Sequence, residues 1–519
     1  MAVLWAVAAL LFMAGLASRL PAMSVQEPIP AETAGAPVDT ARASGVGAAP
    51  SDSVAPITGE ADTATQEGVR LGETRTAVDV PLHQRLVSVL GLLVLLGLAW
   101  ALSVDRRLVD WRVLAWGLGL QLLFALFILK TPVGVAIFAG LNDVIVALLA
   151  FTTEGARFLF GNLVDNAVPV TGAEEGAAAQ TGAFFAFSVL PTIIFFSSLM
   201  TLLYHLGVMQ KMVKGVAWVM MRTMRTSGAE TLSAAGNIFV GQTEAPLMIK
   251  PFIERMTMSE LNAVMTAGFA TVAGGVMAAY VGLLVAYFPD IAGHLLAASV
   301  MSAPAALVIA KLMYPEREEP ATRSNLDVAV ASEDANAIDA AARGAGEGLT
   351  LALNVGAMLL AFIALIALLN AVLGLIADWT GLDTLLLSLG ALPEGQGLTL
   401  EVILGWILAP LAWLMGVPWV DAVAVGSLLG IKTVANEFVA FLQLSQMLSA
   451  GATLSPRSIV IATYALAGFA NFSSIAIQIG GIGGIAPSRR SDLSRLGLRA
   501  MIGGTLAAFL TATVAGILV

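Results

Sequence analysis

Eight stretches of this chain are each about twenty residues long and almost free of charge: roughly 86–104, 113–130, 183–205, 260–288, 294–313, 350–377, 457–480 and 497–518. A helix of ~20 mostly apolar residues is what the hydrocarbon core of a bilayer demands. Lipid offers no partner to a backbone N–H or C=O, so each stretch must be a helix that closes its own hydrogen bonds. Composition agrees. Apolar residues make up 58 % and charged residues 12 %, against a usual ~45–50 % and ~25 %. The chain therefore reads as an all-α polytopic membrane protein. A soluble enzyme, a nucleic-acid binder and a disordered scaffold are excluded for its main body. Cys is absent, and His83, His205 and His294 lie far apart. Disulfides, thiolate metal sites and Cys nucleophiles are thereby removed. Neither HExxH nor GxSxG occurs, so the reading is a protein that is not an enzyme.

The net charge of −10 is unevenly placed. Residues 1–80 carry nine acidic and four basic residues, residues 315–348 carry eight and three, and the remainder has 19 of each. Both acidic segments are rich in small and polar residues and read as solvated linkers. Residues 1–19 form a signal peptide or signal anchor without the usual basic start, and residues 20–84 an acidic disordered linker. With residue 85 outside and the spans alternating, the inner connections hold 17 Lys and Arg; the outer ones beyond the linker hold five. That asymmetry places both mature termini outside a plasma (inner) membrane and the 315–348 loop in the cytoplasm.

Four further stretches do not fit as spans. Residues 133–165 carry Asn142, Asp143, Glu154 and Asp165 among apolar residues, which suits a helix lying in the interface. Residues 206–225 set Lys211, Lys214, Arg222 and Arg225 beside Met, Val and Trp, as an amphipathic surface helix does. The other two place polar groups where lipid would not tolerate them. Residues 230–256 contain Asn237, Gln242, Thr243 and Glu244, followed by Pro246; residues 421–447, which follow an apolar helix at 399–417, contain Lys432, Thr433, Asn436 and Glu437. A charge at mid-membrane costs at least ~2.5–3.5 kcal/mol. Irregular backbone at that depth survives only inside protein or beside a watery cavity. Each is read as a re-entrant hairpin with its tip near the midplane.

The elements recur in order. Scaffold helices and an interfacial helix occupy 85–182. Residues 183–314 then give a span, a surface helix, a hairpin and two more spans; 349–519 give a span, an apolar helix, a hairpin and two spans. The first set begins outside and the second inside, so the repeats are inverted. Inverted repeats with broken helices are the plan of secondary transporters. The span after each hairpin is itself interrupted, by Thr271-Val-Ala-Gly-Gly275 and by Gly468-Phe-Ala-Asn-Phe-Ser-Ser474. Polar breaks at matching places point to a central binding site.

Three runs carry a family resemblance. GNIFVGQTEAPLMIKPF (236–252) resembles the first-hairpin signature of the concentrative nucleoside transporters, LLGIKTVANEFVAFLQL (428–444) their second, and YALAGFANFSSIAIQIGGIGGIAPSRRSDLSRLGLRA (464–500) their last block. The resemblance extends over about 85–315 and 345–519. It implies a homotrimer of eight-span protomers in the lipid bilayer. It also implies a symporter that takes up nucleosides on an inward cation gradient by elevator-like movement, with no nucleic-acid partner.

By that resemblance Gln242, Thr243 and Glu244 hold the nucleobase, with Val276 against its face. Glu437, Asn471 and Ser474, with Phe469 nearby, hold the ribose. A neutral, hydroxylated ligand calls for such amides, hydroxyls and acceptor carboxylates. Gln both donates and accepts, which leaves purine or pyrimidine open. Also by resemblance, Asn237, the Val240 carbonyl, the Thr271 hydroxyl and the Val272 carbonyl form a Na⁺ site. Sodium is the expected coupling ion because the chain keeps GQTEAPL. A proton-coupled nucleoside symporter, or one for another small polar solute, is the alternative.

Overall fold

The computed structural model describes residues 81–164, 167–169, 178–180, 185–322, 334–388, 392 and 397–519. The expected signal segment at 1–19 and nearly all of the 20–84 linker lie outside the described residues, as does 323–333 within the second acidic segment.

The first three helices are α1 (Leu82–Ala101), α2 (Trp111–Lys130) and α3 (Pro132–Phe160). Local chemistry sets their starts. The Asp110 side chain accepts from Arg112 N before α2; Thr131 accepts from Gly134 N before α3, with Pro132 in the first turn. A short antiparallel pair, β1 (Ala167–Pro169) and β2 (Ala178–Gln180), follows. Then come α4 (Leu190–His205), α5 (Val208–Met224), α6 (Gly228–Gly236), α7 (Met258–Ala270), α8 (Gly274–Leu284) and α9 (Ile291–Met313). The second half is α10 (Ala337–Thr380), α11 (Leu400–Leu414), α12 (Trp419–Val434), α13 (Glu437–Ser449), α14 (Pro456–Leu466), α15 (Phe472–Ile485) and α16 (Arg490–Leu518).

Among the described residues eight helices are long and apolar enough to cross a bilayer, and α11 with α12 pass the same measure as a pair bent by 117°. The eight are not quite the expected set. Residues 457–480 are two short helices, α14 and α15, parted at residues 467–471. The stretch read as an interface helix is the 29-residue α3, itself long enough to cross. One of its polar residues is not on a wet face: Asn142 is buried and its Oδ1 accepts from Ala292 N and Gly293 N at the start of α9. The acidic segment is also shorter than expected, since α10 begins at Ala337 and runs 44 residues. Asn336 caps its first turn, and Arg343 pairs with Asp334 at 2.6 Å and Glu347 at 2.7 Å. Such caps and i,i+4 pairs let a helix extend beyond its apolar part.

The core lies around α9, buried over 89 % of its most apolar stretch, with α7–α8 and α16 each at 78 %. The same figure for α10 is 6 %. That helix lies against α4 through small residues: a Cβ at Gly348 would sit 2.8 Å from Ile194 Cα. In α5 the buried Met209, Val213, Ala217, Met220 and Met224 lie three or four apart, while Lys211, Lys214 and Arg222 are exposed.

Two capping boxes open the first hairpin and the span after it. Ser227 and Glu230 exchange hydrogen bonds with each other's backbone at α6, and Thr257 and Glu260 do so at α7. Lys311 of α9 ties the two starts together, with Nζ 2.7 Å from Glu230 and 2.9 Å from the Ser259 hydroxyl. After α6 the chain is irregular over 237–244 and then tightens into a 3-10 turn, Ala245–Ile249, with Pro246 in its first turn, where a missing N–H costs no helical bond. The second hairpin breaks at Ala435 between α12 and α13. The broken spans α7–α8 and α14–α15 meet at their breaks. A Cβ at Gly468 would lie 2.9 Å from the Phe269 carbonyl and 3.0 Å from that of Ala270.

Candidate functional site

Helix ends supply most of the site's polar residues. Four non-helical points converge: the first hairpin's tip at 237–244, the α7–α8 break at 271–273, the α12–α13 break at 435–436 and the α14–α15 break at 467–471. Gln242, Thr243, Glu244, Val276, Glu437, Phe469, Asn471 and Ser474 all line one cavity. Counted out to its open mouth, solvent included, it encloses about 670 Å³.

Glu437 is the most constrained polar group there. It opens α13 just after the Asn436 cap and is 5 % exposed. The Tyr280 hydroxyl donates to its Oε1 at 2.9 Å, and Asn471 Nδ2 donates to its Oε2 at 2.9 Å. Asn471 is also the cap of α15, its Oδ1 accepting from Ser474 N at 2.9 Å. One amide thus holds the second hairpin's carboxylate and the start of the last broken helix. On the first hairpin, Thr243 Oγ1 donates to Glu244 Oε1 at 3.0 Å, and Gln242 Nε2 lies 3.4 Å from Ser474 Oγ. Val276 and Phe469 are apolar wall, joined by Leu351, Val355 and Met358 of α10.

The four groups expected to hold a cation lie beside this cavity. Asn237, Thr271 and Val272 are all buried. Asn237 Nδ2 is used by the Ser233 carbonyl at 3.0 Å, but its Oδ1 has no hydrogen-bond partner. Thr271 donates to the Ala267 carbonyl at 2.9 Å, which leaves its oxygen lone pairs able to bind a cation. The first hairpin and the α7–α8 break touch, since Gly274 N donates to the Phe239 carbonyl at 3.1 Å. Every member of the set is a neutral oxygen, and an orphaned buried amide oxygen is costly unless something positive meets it. The residues fit a hard monovalent cation.

Three contributors were not singled out from the sequence. Tyr280 follows Val276 by one helical turn on α8, and Gln478 follows Ser474 by one turn on α15; that spacing was the available signal. The α10 wall had none, because its apolar residues look like those of any span.

Comparisons with known proteins agree with this geometry. Residues 294–516 match the C-terminal and residues 90–163 the N-terminal profile of the Na⁺-dependent nucleoside transporters, and residues 186–287 match a profile described as nucleoside recognition. Sodium/nucleoside cotransporter 1 of Rattus norvegicus is 44 % identical over 448 residues, 84 % of this chain and 64 % of that protein. The chain thus spans just under two thirds of that relative's length. An uncharacterized transporter of Haemophilus influenzae is 43 % identical over 84 % of this chain and 98 % of its own. A structure of CNTnw in an inward-facing substrate-bound state superposes with a TM-score of 0.74 at 42 % identity, covering 83 % of this chain and 97 % of that one. With the profiles, the H. influenzae relative and that structure in agreement, this multi-pass membrane protein belongs to the concentrative nucleoside transporter family.

Proposed function

We propose that the chain is a secondary active symporter that imports nucleosides on a sodium gradient. The observation that carries this is the shared cavity. A twice-bonded carboxylate, Glu437, and an amide, Gln242, line it together, with Val276 and Phe469 as apolar wall. Ribose hydroxyls donate to Glu437 in charge-assisted hydrogen bonds, and Tyr280 and Asn471 keep its two oxygens aimed. The base lies against Val276 with its polar edge toward Gln242, Thr243 and Glu244.

Asn237, Val240, Thr271 and Val272 would hold the sodium ion. The ion would supply positive charge at the half-helix ends, where backbone carbonyls are unsatisfied. A proton is a poorer fit, because amide, hydroxyl and carbonyl oxygens do not titrate near neutral pH. One sodium crossing ~100 mV is worth ~2.3 kcal/mol, which supports a roughly 40-fold substrate gradient.

The two repeats are inverted, with re-entrant hairpins at 230–256 and 421–447. They move as an elevator against a homotrimeric scaffold in the plasma (inner) membrane, both mature termini outside. The element order and the excess of Lys and Arg on alternate connections support this arrangement. Uptake of labelled uridine into proteoliposomes tests the reading. Uptake should follow an imposed sodium gradient and be lost when choline replaces sodium. No uptake of any nucleoside under either a sodium or a proton gradient removes it.

A further inference from the structure

Gln478 is fully buried on α15 and lies outside the cavity lining. Its Nε2 donates to the Met265 carbonyl of α7 at 3.1 Å and to Gln242 Oε1 at 3.0 Å. The first contact removes any ambiguity in the second. A backbone carbonyl can only accept, so the Gln478 amide must turn its N–H₂ toward Met265. That same N–H₂ then faces Gln242, which must answer with its oxygen. Gln242 is left with its own N–H₂ toward Ser474 and the cavity. The Ser474 contact is long, at 3.4 Å, and leaves donor capacity for a ligand. The backbone of α7 closes in behind the pair: a Cβ at Gly268 would lie 2.8 Å from Gln478 Nε2 and 3.0 Å from Gln242 Cβ. That close approach bounds both amides on the α7 side.

We infer that Gln478 is a positioning and specificity-determining residue: it locks Gln242 as a hydrogen-bond donor toward the nucleobase. This rests on the nucleoside reading above and narrows it. A free Gln serves donor and acceptor edges alike; a locked one does not. Uracil and cytosine carry opposite donor and acceptor patterns along the edge that distinguishes them, as do hypoxanthine and adenine. A site with fixed polarity separates the members of each pair.

The test is competition against labelled uridine uptake, in proteoliposomes holding the full chain, by uridine, cytidine and 2′-deoxyuridine. In the parent protein the uridine and cytidine affinities differ. In Gln478→Met, which keeps the volume but releases the amide, that ratio moves toward unity by about tenfold, the worth of one oriented hydrogen bond. The uridine to 2′-deoxyuridine ratio stays within about twofold. Gln478→Glu gives the sharper readout. The protonated oxygen that takes the place of Nε2 donates its one hydrogen to the Met265 carbonyl and turns a lone pair to Gln242, so Gln242 must turn over and the base preference reverses. Equal affinities in the parent overturn the inference. So does an unchanged base ratio in the variants, or base and ribose ratios that shift together as a merely structural role would make them. Should Gln478→Met fail to assemble, the parent ratio and Gln478→Glu decide. Absence of any nucleoside uptake by the parent is a different result, and it removes the function itself.

Discussion

The hydroxyl of Tyr280 meets Oε1 of Glu437 at 2.9 Å, joining the broken span of the first repeat to the second hairpin across 157 residues of sequence. The Tyr280 ring is fixed independently: it stacks on Phe441 at a centroid distance of 4.4 Å and meets Phe438 edge-on at 5.3 Å. Tyr280→Phe therefore removes one hydrogen bond and little else. A bond to a charged group is worth ~1.5–3 kcal/mol, so ribonucleoside affinity should fall at least about tenfold. Binding titrations on detergent-purified protein check this. A change confined to the base ratio, with ribose recognition intact, would detach Tyr280 from the carboxylate's role.

Glu437→Gln replaces the charged acceptor with an amide of equal shape. Hydrogen bonds to an ionised group are roughly twice as strong as neutral ones, so ribonucleosides should bind at least about tenfold more weakly. Deoxynucleosides should suffer less. Unchanged ribonucleoside affinity would mean that the ribose does not lie at Glu437.

The cation set is open to a test that does not depend on transport. Asn237→Ala and Thr271→Ala each delete one oxygen ligand, so both should raise the sodium concentration needed for half-maximal uptake. Both should also shrink the rise in melting temperature that sodium gives the purified parent. Thr271→Ser, which keeps the hydroxyl, should behave like the parent. A sodium dependence unaltered in both alanine variants would place the ion elsewhere.

The Lys311 cluster makes a prediction about stability. Lys311 is 7 % exposed and lies 2.7 Å from Glu230 and 3.2 Å from Glu316. Lys311→Met leaves the buried Glu230 without its cation, which costs ~3–5 kcal/mol. Melting temperature and yield should drop sharply, and adding Glu230→Gln should restore part of the loss. A single variant as stable as the parent would show that Glu230 finds its compensation in the capping box alone.

Much of this protein was readable along the chain because lipid judges each residue nearly alone. A run of apolar residues must be a helix, and a Gln-Thr-Glu or Asn-Glu inside such a run must be sheltered. Those two rules, with the family resemblance, named the hairpins, both broken spans and the eight residues that share the cavity. They also mark where helices end, because Pro246, Gly274 and the caps Asn436 and Asn471 act on their own few neighbours. Pairings between distant elements were not readable. Gln478 meets Met265 across 213 residues, and Asn142 caps a helix 150 residues away. Spacing sets Gln478 one turn from Ser474, but what its amide meets is decided across the fold. Which side chains meet depends on where helices cross and how near glycines such as Gly268 and Gly468 let their backbones come. Only the assembled helices set those crossings, and with them which way Gln242 faces.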